Sequence, residues 1–233
     1  MSIILTDIEG TTGSIAFVKN VLFPYARERI PAYLAENADE PQVATLIRDA
    51  ARDAGMETLS WEEAATVFLA WMDADLKVTT LKTLQGMIWE SGYRDGVLRG
   101  HVYDDAAEGL ARWHEAGHKI YVYSSGSIAA QRLLFAFSDH GDLSGLFSGY
   151  FDTTIGLKND PDSYRRIAPR IGAAPADILF LSDSTGEITA AHAAGLRTVW
   201  MVRPDTPPQD GPSPTCDAQA RTFDEIDPDA IGA

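Results

Sequence analysis

Apolar residues come in short unbroken runs that stop on polar residues at the ends of predicted strands. Ile3, Ile4 and Leu5 lead to Asp7, with Gly10 and Gly13 just beyond. Residues 119–123 (KIYVY) end at Ser124-Ser125-Gly126, residues 178–181 (ILFL) end at Ser182-Asp183-Ser184, and residues 198–202 (TVWMV) form a fourth run. Runs this short, bounded by turn residues, predict buried strands. Helical periodicity fills the intervals at 105–116, 127–137, 161–171 and 187–194. The alternation predicts an α/β fold with a parallel sheet covered by helices on both faces. Between Gly13 and about Gly100 the pattern changes. Residues 17–34, 41–54, 61–76 and 80–91 read as amphipathic helices with no strand among them, so this stretch is expected to be a helical insertion that acts as a lid. Residues 203–216 hold Pro204, Pro207, Pro208, Pro212 and Pro214 and predict irregular surface chain.

Composition narrows the function classes. A chain of 233 residues, 45% of them hydrophobic, can bury a core domain and a smaller inserted unit without help from disulfides. Lys and Arg total 19 against 34 Asp and Glu, and the resulting charge of −15 argues against nucleic acid or an anionic membrane as a partner. The lone Cys216 admits no internal disulfide and no paired-cysteine zinc site, which fits a reducing compartment. MSIILTDIEG contains no basic leader, and no run approaches the ~20 apolar residues of a membrane span. The expected location is the cytoplasm, and the chain is read as a monomer.

Three of the four runs end in groups that can do chemistry, and open parallel sheets bind ligands outside the carboxyl ends of their strands. Asp7 and Glu9 place two carboxylates just past the first run. Two such charges in one cavity call for a cation or a proton, so a hard divalent ion such as Mg²⁺ would keep Asp7 ionised as a nucleophile while Glu9 carries the proton. The structural alternative is a solvated turn. Ser124 and Ser125 precede a helix whose N-terminal N–H groups suit a phosphate, although serine there also serves as a plain helix cap. Lys158, in the loop 156–161, can balance charge on a phosphoryl group or simply face solvent. Asp183 is the natural additional metal ligand, and Glu187, four residues on, can hydrogen-bond Lys158 or metal-bound water. Capping accounts for either alone. It does not account for carboxylate pair, hydroxyl, lysine and carboxylate recurring in that order at successive strand ends. No pair among His101, His114, His118, His140 and His192 has metal-ligand spacing on one face, so none receives a catalytic role.

Asp-x-Glu-Gly-Thr-Thr at 7–12, Ser124-Ser125, Lys158 and Asp183 resemble the four motifs of the haloacid-dehalogenase superfamily of aspartate-dependent phosphatases. Glu9 stands where the commonest phosphatase form has Asp. With IAFVKNVLFPYA at 15–26, LQGMIWESGYRDG at 84–96, HVYDD at 101–105 and YSSGSIAAQRLLFAFS at 123–138, the chain is similar from residue 3 to about 203 to the acireductone synthases, the enolase-phosphatases of methionine salvage. Gly13-Ser14 and the proline-rich tail are less typical of that family.

The resemblance implies a Rossmann-like α/β core at 1–13 and 101–233 with an inserted helical cap at 14–100. It implies one Mg²⁺ per chain and a small phosphorylated substrate, 2,3-diketo-5-methylthiopentyl-1-phosphate, which is enolised and then dephosphorylated to the acireductone. On this mapping Asp7, Glu9 and Lys158 are catalytic, Ser124, Ser125 and Lys158 bind the phosphate, and Asp7, the Glu9 position and Asp183 hold the metal. Whether Glu9 does so by side chain or by backbone stays open. Glu9 is also the candidate enolisation base. Trp61, Trp71, Met72, Met87, Ile88, Trp89 and Tyr93 are expected mostly in the core of the insertion, with a few near 87–93 facing the methylthio end of the substrate. Three rivals remain. A general phosphomonoesterase would share the motifs, a dehalogenase would not need Asp183, and a catalytically silent binding protein would use the lid as a partner surface.

Overall fold

The computed structural model describes residues 2–206 and 212–232 and divides into two compact units, Met1–Phe17 with Arg99–Ala233, and Val18–Leu98. The first is built on a six-stranded sheet, every pair of it parallel: β1 (Ile3–Thr6), β2 (Lys119–Tyr123), β3 (Phe147–Phe151), β4 (Ile178–Ser182), β5 (Arg197–Met201) and β6 (Ala218–Ala220), in the order β3-β2-β1-β4-β5-β6. The four expected strands are all present. β3 and β6 escaped the sequence reading because Phe147–Phe151 is interrupted by Ser148 and Gly149, and β6 is a three-residue edge strand, AQA.

Period-two alternation sends the strand side chains into two apolar layers. Ile4, Ile120, Val122, Leu179, Leu181 and Val199 pack with Leu110, Trp113 and Phe135, which come from helices α6 (Asp104–Glu115) and α7 (Ile128–Ala136). Leu5, Tyr123, Ile178 and Phe180 face the opposite way, onto Tyr164, Ile167 and Ile188 of α8 (Pro161–Ile171) and α9 (Thr185–Ala193). Burial on both faces explains why these strands read as continuous apolar runs.

The order reverses at the middle of the sheet. From β1 the chain proceeds to β2 and β3 on one side, then returns to β4 on the other, so β1 and β4 flank the switch point. At that point the connections leave in opposite directions, and their ends open a crevice at the carboxyl edge. Asp7 follows β1 there and Asp183 follows β4, and the Asp7 N–H donates to the Leu181 carbonyl at 2.9 Å.

The second unit is helical, with no strand among its described residues. The expected single helix over 17–34 is instead a short helical turn that still belongs to the first unit, α1 (Ile15–Phe17), followed in the second by a π-helical segment at Val18–Leu22 and α2 (Phe23–Asn37). Pro24, in the first turn of α2, has no N–H to give the preceding turn, and the wider π turn absorbs that interruption. Then come α3 (Pro41–Asp53), α4 (Trp61–Asp73) and α5 (Thr79–Arg94). Ala26, Ile30 and Leu34, one helical turn apart, meet Val43, Leu46, Phe68, Leu84 and Ile88 in one apolar cluster. Ile88 and Tyr93 are buried, and Trp61, Trp71, Met72, Met87 and Trp89 pack half-buried against the same cluster.

Of the proline-rich stretch, Pro204, Pro212 and Pro214 lie in turn and irregular chain, while Pro207 and Pro208 fall outside the described residues. Among the described residues, no helix is long and apolar enough to cross a membrane.

Candidate active site

The loop that follows β1 winds tightly around one carbonyl. Thr11, Thr12 and Gly13 all donate their N–H groups to the Ile8 oxygen, at 3.1, 3.0 and 2.8 Å. Gly10 adopts φ +74, a conformation that L side chains rarely take, and a Cβ there would run into the Asp183 carboxylate. The backbone at residue 10 therefore lies directly against the carboxylate at the end of β4. Two threonines complete the frame: Thr12 Oγ1 donates to the Asp7 carbonyl at 3.2 Å, and Thr11 Oγ1 accepts the Asp183 N–H at 3.0 Å.

Lys158 is delivered by a loop that two tyrosines hold. Tyr164 O–H donates to the Lys158 carbonyl at 2.6 Å, and Tyr123 O–H donates to the Gly156 carbonyl at 2.9 Å. Asp160 caps α8, accepting the Asp162 N–H at 2.9 Å, with Pro161 in the first helical turn where its missing donor costs nothing. The ammonium so placed contacts Asp7 Oδ1 and lies 2.7 Å from Glu187 Oε2. Glu187 also receives the Ser182 hydroxyl at 2.7 Å, while Ser184 caps α9 by accepting the Glu187 N–H at 3.4 Å. Capping and site chemistry are thus served by the same turn, and the expected pairing of Glu187 with Lys158 is present. The Asp183 carbonyl accepts the Trp200 indole N–H at 2.7 Å, a contact that no sequence pattern announced.

Asp7, Lys158 and Asp183 are 4%, 7% and 6% exposed. One ammonium faces three carboxylates. Burial pushes the Asp7 carboxyl well above its usual range, Lys158 opposes the shift, and the charges of Glu187 and Asp183 add to it. Burial, then Glu187, raise Asp183 to about 6, with a smaller push from Glu9. Burial pulls Lys158 down, but Asp7 and Glu187 outweigh it and hold the ammonium above the ordinary lysine range. The excess of buried negative charge is the condition in which a hard cation binds carboxylate oxygens. Among the described residues, no three His, Cys, Asp or Glu side chains converge as a ligand cluster. A site with two carboxylate side chains suits Mg²⁺, which keeps several waters and substrate oxygens, and does not suit a structural zinc.

The other expected residues sit around this centre less tightly. Glu9 is half-buried and registers at Asp183 through its charge. Ser124 is buried at the end of β2, beside β1, with its N–H donating to Phe151 O at 3.2 Å and its Oγ accepting the Gly126 N–H at 3.3 Å. Ser125 is exposed, and Ser127 caps α7. The Tyr123 ring, next to Ser124 in the chain, has its centroid 5.7 Å from the Lys158 ammonium. Thr11, Thr12, Tyr123 and Tyr164 carry no signal in the sequence beyond Gly-Thr-Thr at 10–12: Thr11 and Tyr123 reach segments far along the chain, and Thr12 and Tyr164 bond backbone carbonyls that no residue pattern marks.

The haloacid dehalogenase-like hydrolase family matches residues 1–195. The chain is 51% identical over 203 residues to the enolase-phosphatase E1 of Pseudomonas fluorescens, covering 87% of this chain and 89% of that one. It is 47% identical over 230 residues to the enolase-phosphatase E1 of Klebsiella pneumoniae, covering 99% and 98%. Among solved structures, the UTR4 protein of Saccharomyces cerevisiae is similar with a TM-score of 0.81 and 32% identity, over 97% of this chain and 99% of that one.

Proposed function

The chain belongs to the haloacid dehalogenase-like hydrolases, and on that premise we propose that it is an enolase-phosphatase whose nucleophile is Asp7. The observation that carries this reading is the buried pair of Asp7 and Lys158 at the switch point of the sheet, with Asp183 across the same crevice. The substrate we assign is 2,3-diketo-5-methylthiopentyl-1-phosphate and the product the acireductone, which places the chain in methionine salvage. Support comes from the enolase-phosphatase relatives at about half identity over most of the chain.

Asp7 attacks phosphorus while the bond from phosphorus to the substrate's ester oxygen breaks. That oxygen takes a proton and leaves as the enol, and water then cleaves the aspartyl-phosphate to free Asp7 and phosphate. Lys158, already against Asp7 Oδ1, orients the carboxylate and offsets charge on the phosphoryl oxygens. Ser124 and Ser125 hold the phosphate at the loop before α7. Glu9 takes the proton from the carbon acid, leaving an enediolate, and returns it to the leaving oxygen; it then takes the attacking water's proton and passes it to the enediolate oxygen, its longer side chain giving it more reach than Asp. Asp7, Asp183 and the Glu9 backbone carbonyl would hold one Mg²⁺, which leaves the Glu9 side chain free for proton transfer. When bound, the ion supplies positive charge that keeps buried Asp7 ionised and stabilises phosphoryl and enediolate oxygens.

On the same reading, the first unit is the phosphatase core expected at 1–13 and 101–233, and the helical unit is the cap expected at 14–100. We place the protein in the cytoplasm, in keeping with its single cysteine, and read it as a monomer. The test is phosphate release from the methylthio diketone phosphate, with ultraviolet absorbance of the enediol followed in parallel, with and without Mg²⁺. Mg²⁺-dependent release together with the absorbance is expected. Release without any enediol signal would replace the proposal with a plain phosphomonoesterase.

A further inference from the structure

Two residues past β5, at the start of the proline-rich stretch, Arg203 is 4% exposed. A buried guanidinium needs its donors satisfied, and this one spends them on two targets. Nη1 donates to both oxygens of Asp105, each at 2.7 Å, while Nε and Nη2 both donate to the Thr11 carbonyl, at 3.1 and 2.7 Å. The planar group is flanked by aromatic rings, with its carbon 4.2 Å from the Tyr103 centroid and 5.3 Å from that of Phe223. Asp105 is itself fixed, since its Oδ2 also accepts the Phe223 N–H at 2.7 Å.

Thr11 is the residue whose hydroxyl accepts the Asp183 N–H, and its neighbour Thr12 donates to the Asp7 carbonyl. Arg203 thus grips, by its carbonyl, a loop residue that ties the end of β1 to the end of β4. We propose that Arg203 is a positioning residue for the reaction: its fork clamps the Thr11 carbonyl and so fixes the separation of Asp7 and Asp183. The inference rests on the reading of Asp7 as nucleophile. A buried ion pair is weak support for stability, since well-packed apolar groups often do as well. Its geometric value lies in selecting one loop conformation. Lysine cannot take this place, because a single ammonium does not span Asp105 and Thr11 as the guanidinium fork does.

The experiment compares Arg203→Lys, Arg203→Met and Asp105→Asn with the wild type, by steady-state phosphate release and by amide hydrogen exchange of residues 8–13. Arg203→Lys is expected to lower kcat by about tenfold to a hundredfold with KM within about threefold, as sub-ångström misplacement of reacting groups does. Exchange at Thr11–Gly13 should quicken about tenfold. Asp105→Asn keeps the two bonds to Thr11 and should cost kcat less than Arg203→Lys does, even where it lowers the melting temperature as much. A merely structural arginine would lower melting temperature in all three variants and leave kcat of the folded fraction unchanged. Wild-type kcat, or unchanged loop exchange, in Arg203→Lys overturns the proposal, and that variant retains a buried cation should Arg203→Met fail to fold. Asp7→Asn run alongside separates the two readings, because turnover retained there overturns the nucleophile assignment itself.

Discussion

The Lys158 ammonium lies 2.7 Å from Glu187 Oε2, with both side chains largely buried. The same ammonium contacts Asp7, so a residue from the loop before α8 is shared between the end of β1 and the first turn of α9. Charge at the site is consequently collective: Glu187 and Lys158 push the Asp7 carboxyl in opposite directions, and Asp7 and Glu187 together hold the ammonium charged.

Replacing Lys158 by Met keeps the volume and removes the cation facing Asp7 and Glu187. Phosphate release should fall by about 10²–10³-fold or more, the effect of losing a preorganised charge partner. Breaking a buried pair by deleting one member costs about 3–5 kcal/mol when the other stays charged. The loss of melting temperature should therefore be greatest at neutral pH and shrink in acid, where Asp7, its carboxyl raised by burial, takes up a proton. An equal loss at pH 5 and pH 8 would contradict the collective-charge account.

Asp183 gives the metal-free protein a pH dependence of unusual sign. Its carboxyl titrates at about 6 in the folded chain instead of near 3.8, because burial and Glu187 disfavour the charge. The folded state then binds the extra proton, so this contribution to stability is full below about pH 4 and is lost as the pH rises through 6. The size is about 3 kcal/mol, because each tenfold gain in proton affinity is worth about 1.4 kcal/mol. Thermal melts between pH 4 and 7 should show a steeper slope in wild type than in Asp183→Asn, where raised Asp7 alone remains, and added Mg²⁺ should flatten it by holding the carboxylates ionised.

Gly10→Ala tests the close approach of the β1 loop to Asp183. The positive φ costs about 1–2 kcal/mol for an L residue, and the added methyl must displace the carboxylate. Half-maximal activity should require about tenfold more Mg²⁺ or above, with KM for substrate little changed. An unaltered Mg²⁺ requirement would show that the Asp183 carboxylate need not sit where the glycine permits.

Glu9→Asp shortens the proposed proton carrier by one methylene while preserving charge and backbone. Enediol formation should slow by about tenfold or more, and phosphate release with it. Wild-type rates of both steps in the variant would remove Glu9 from the enolisation step and leave its carbonyl as its contribution to the site.

Much of this fold was legible from residue patterns because central parallel strands are buried on both faces and must be apolar throughout. Ile3–Leu5, Lys119–Tyr123, Ile178–Leu181 and Thr198–Val202 all announced themselves, and polar residues at their ends marked the crevice. Phe147–Phe151 and Ala218–Ala220 were silent because strands toward the sheet edges need less apolar continuity and take their extended form from the neighbour they pair with. The π segment before α2 was equally silent, since an amphipathic pattern does not register a widened turn.

From the chain alone came the identity and order of the chemical groups: carboxylates at 7 and 9, hydroxyls at 124 and 125, the amine at 158 and the carboxylate at 183, each just past a strand or in a loop. Tertiary structure alone decided how they are coupled: Lys158 bridging Asp7 and Glu187, Thr11 tying Asp183 to the β1 loop, and Arg203 gripping Thr11 from the far side of the sequence. The physical reason is one of range. Strand burial is imprinted on consecutive residues, whereas Lys158–Asp7, Thr11–Asp183 and Arg203–Thr11 join groups 151 to 192 positions apart, whose meeting depends on the strand order and not on any local pattern.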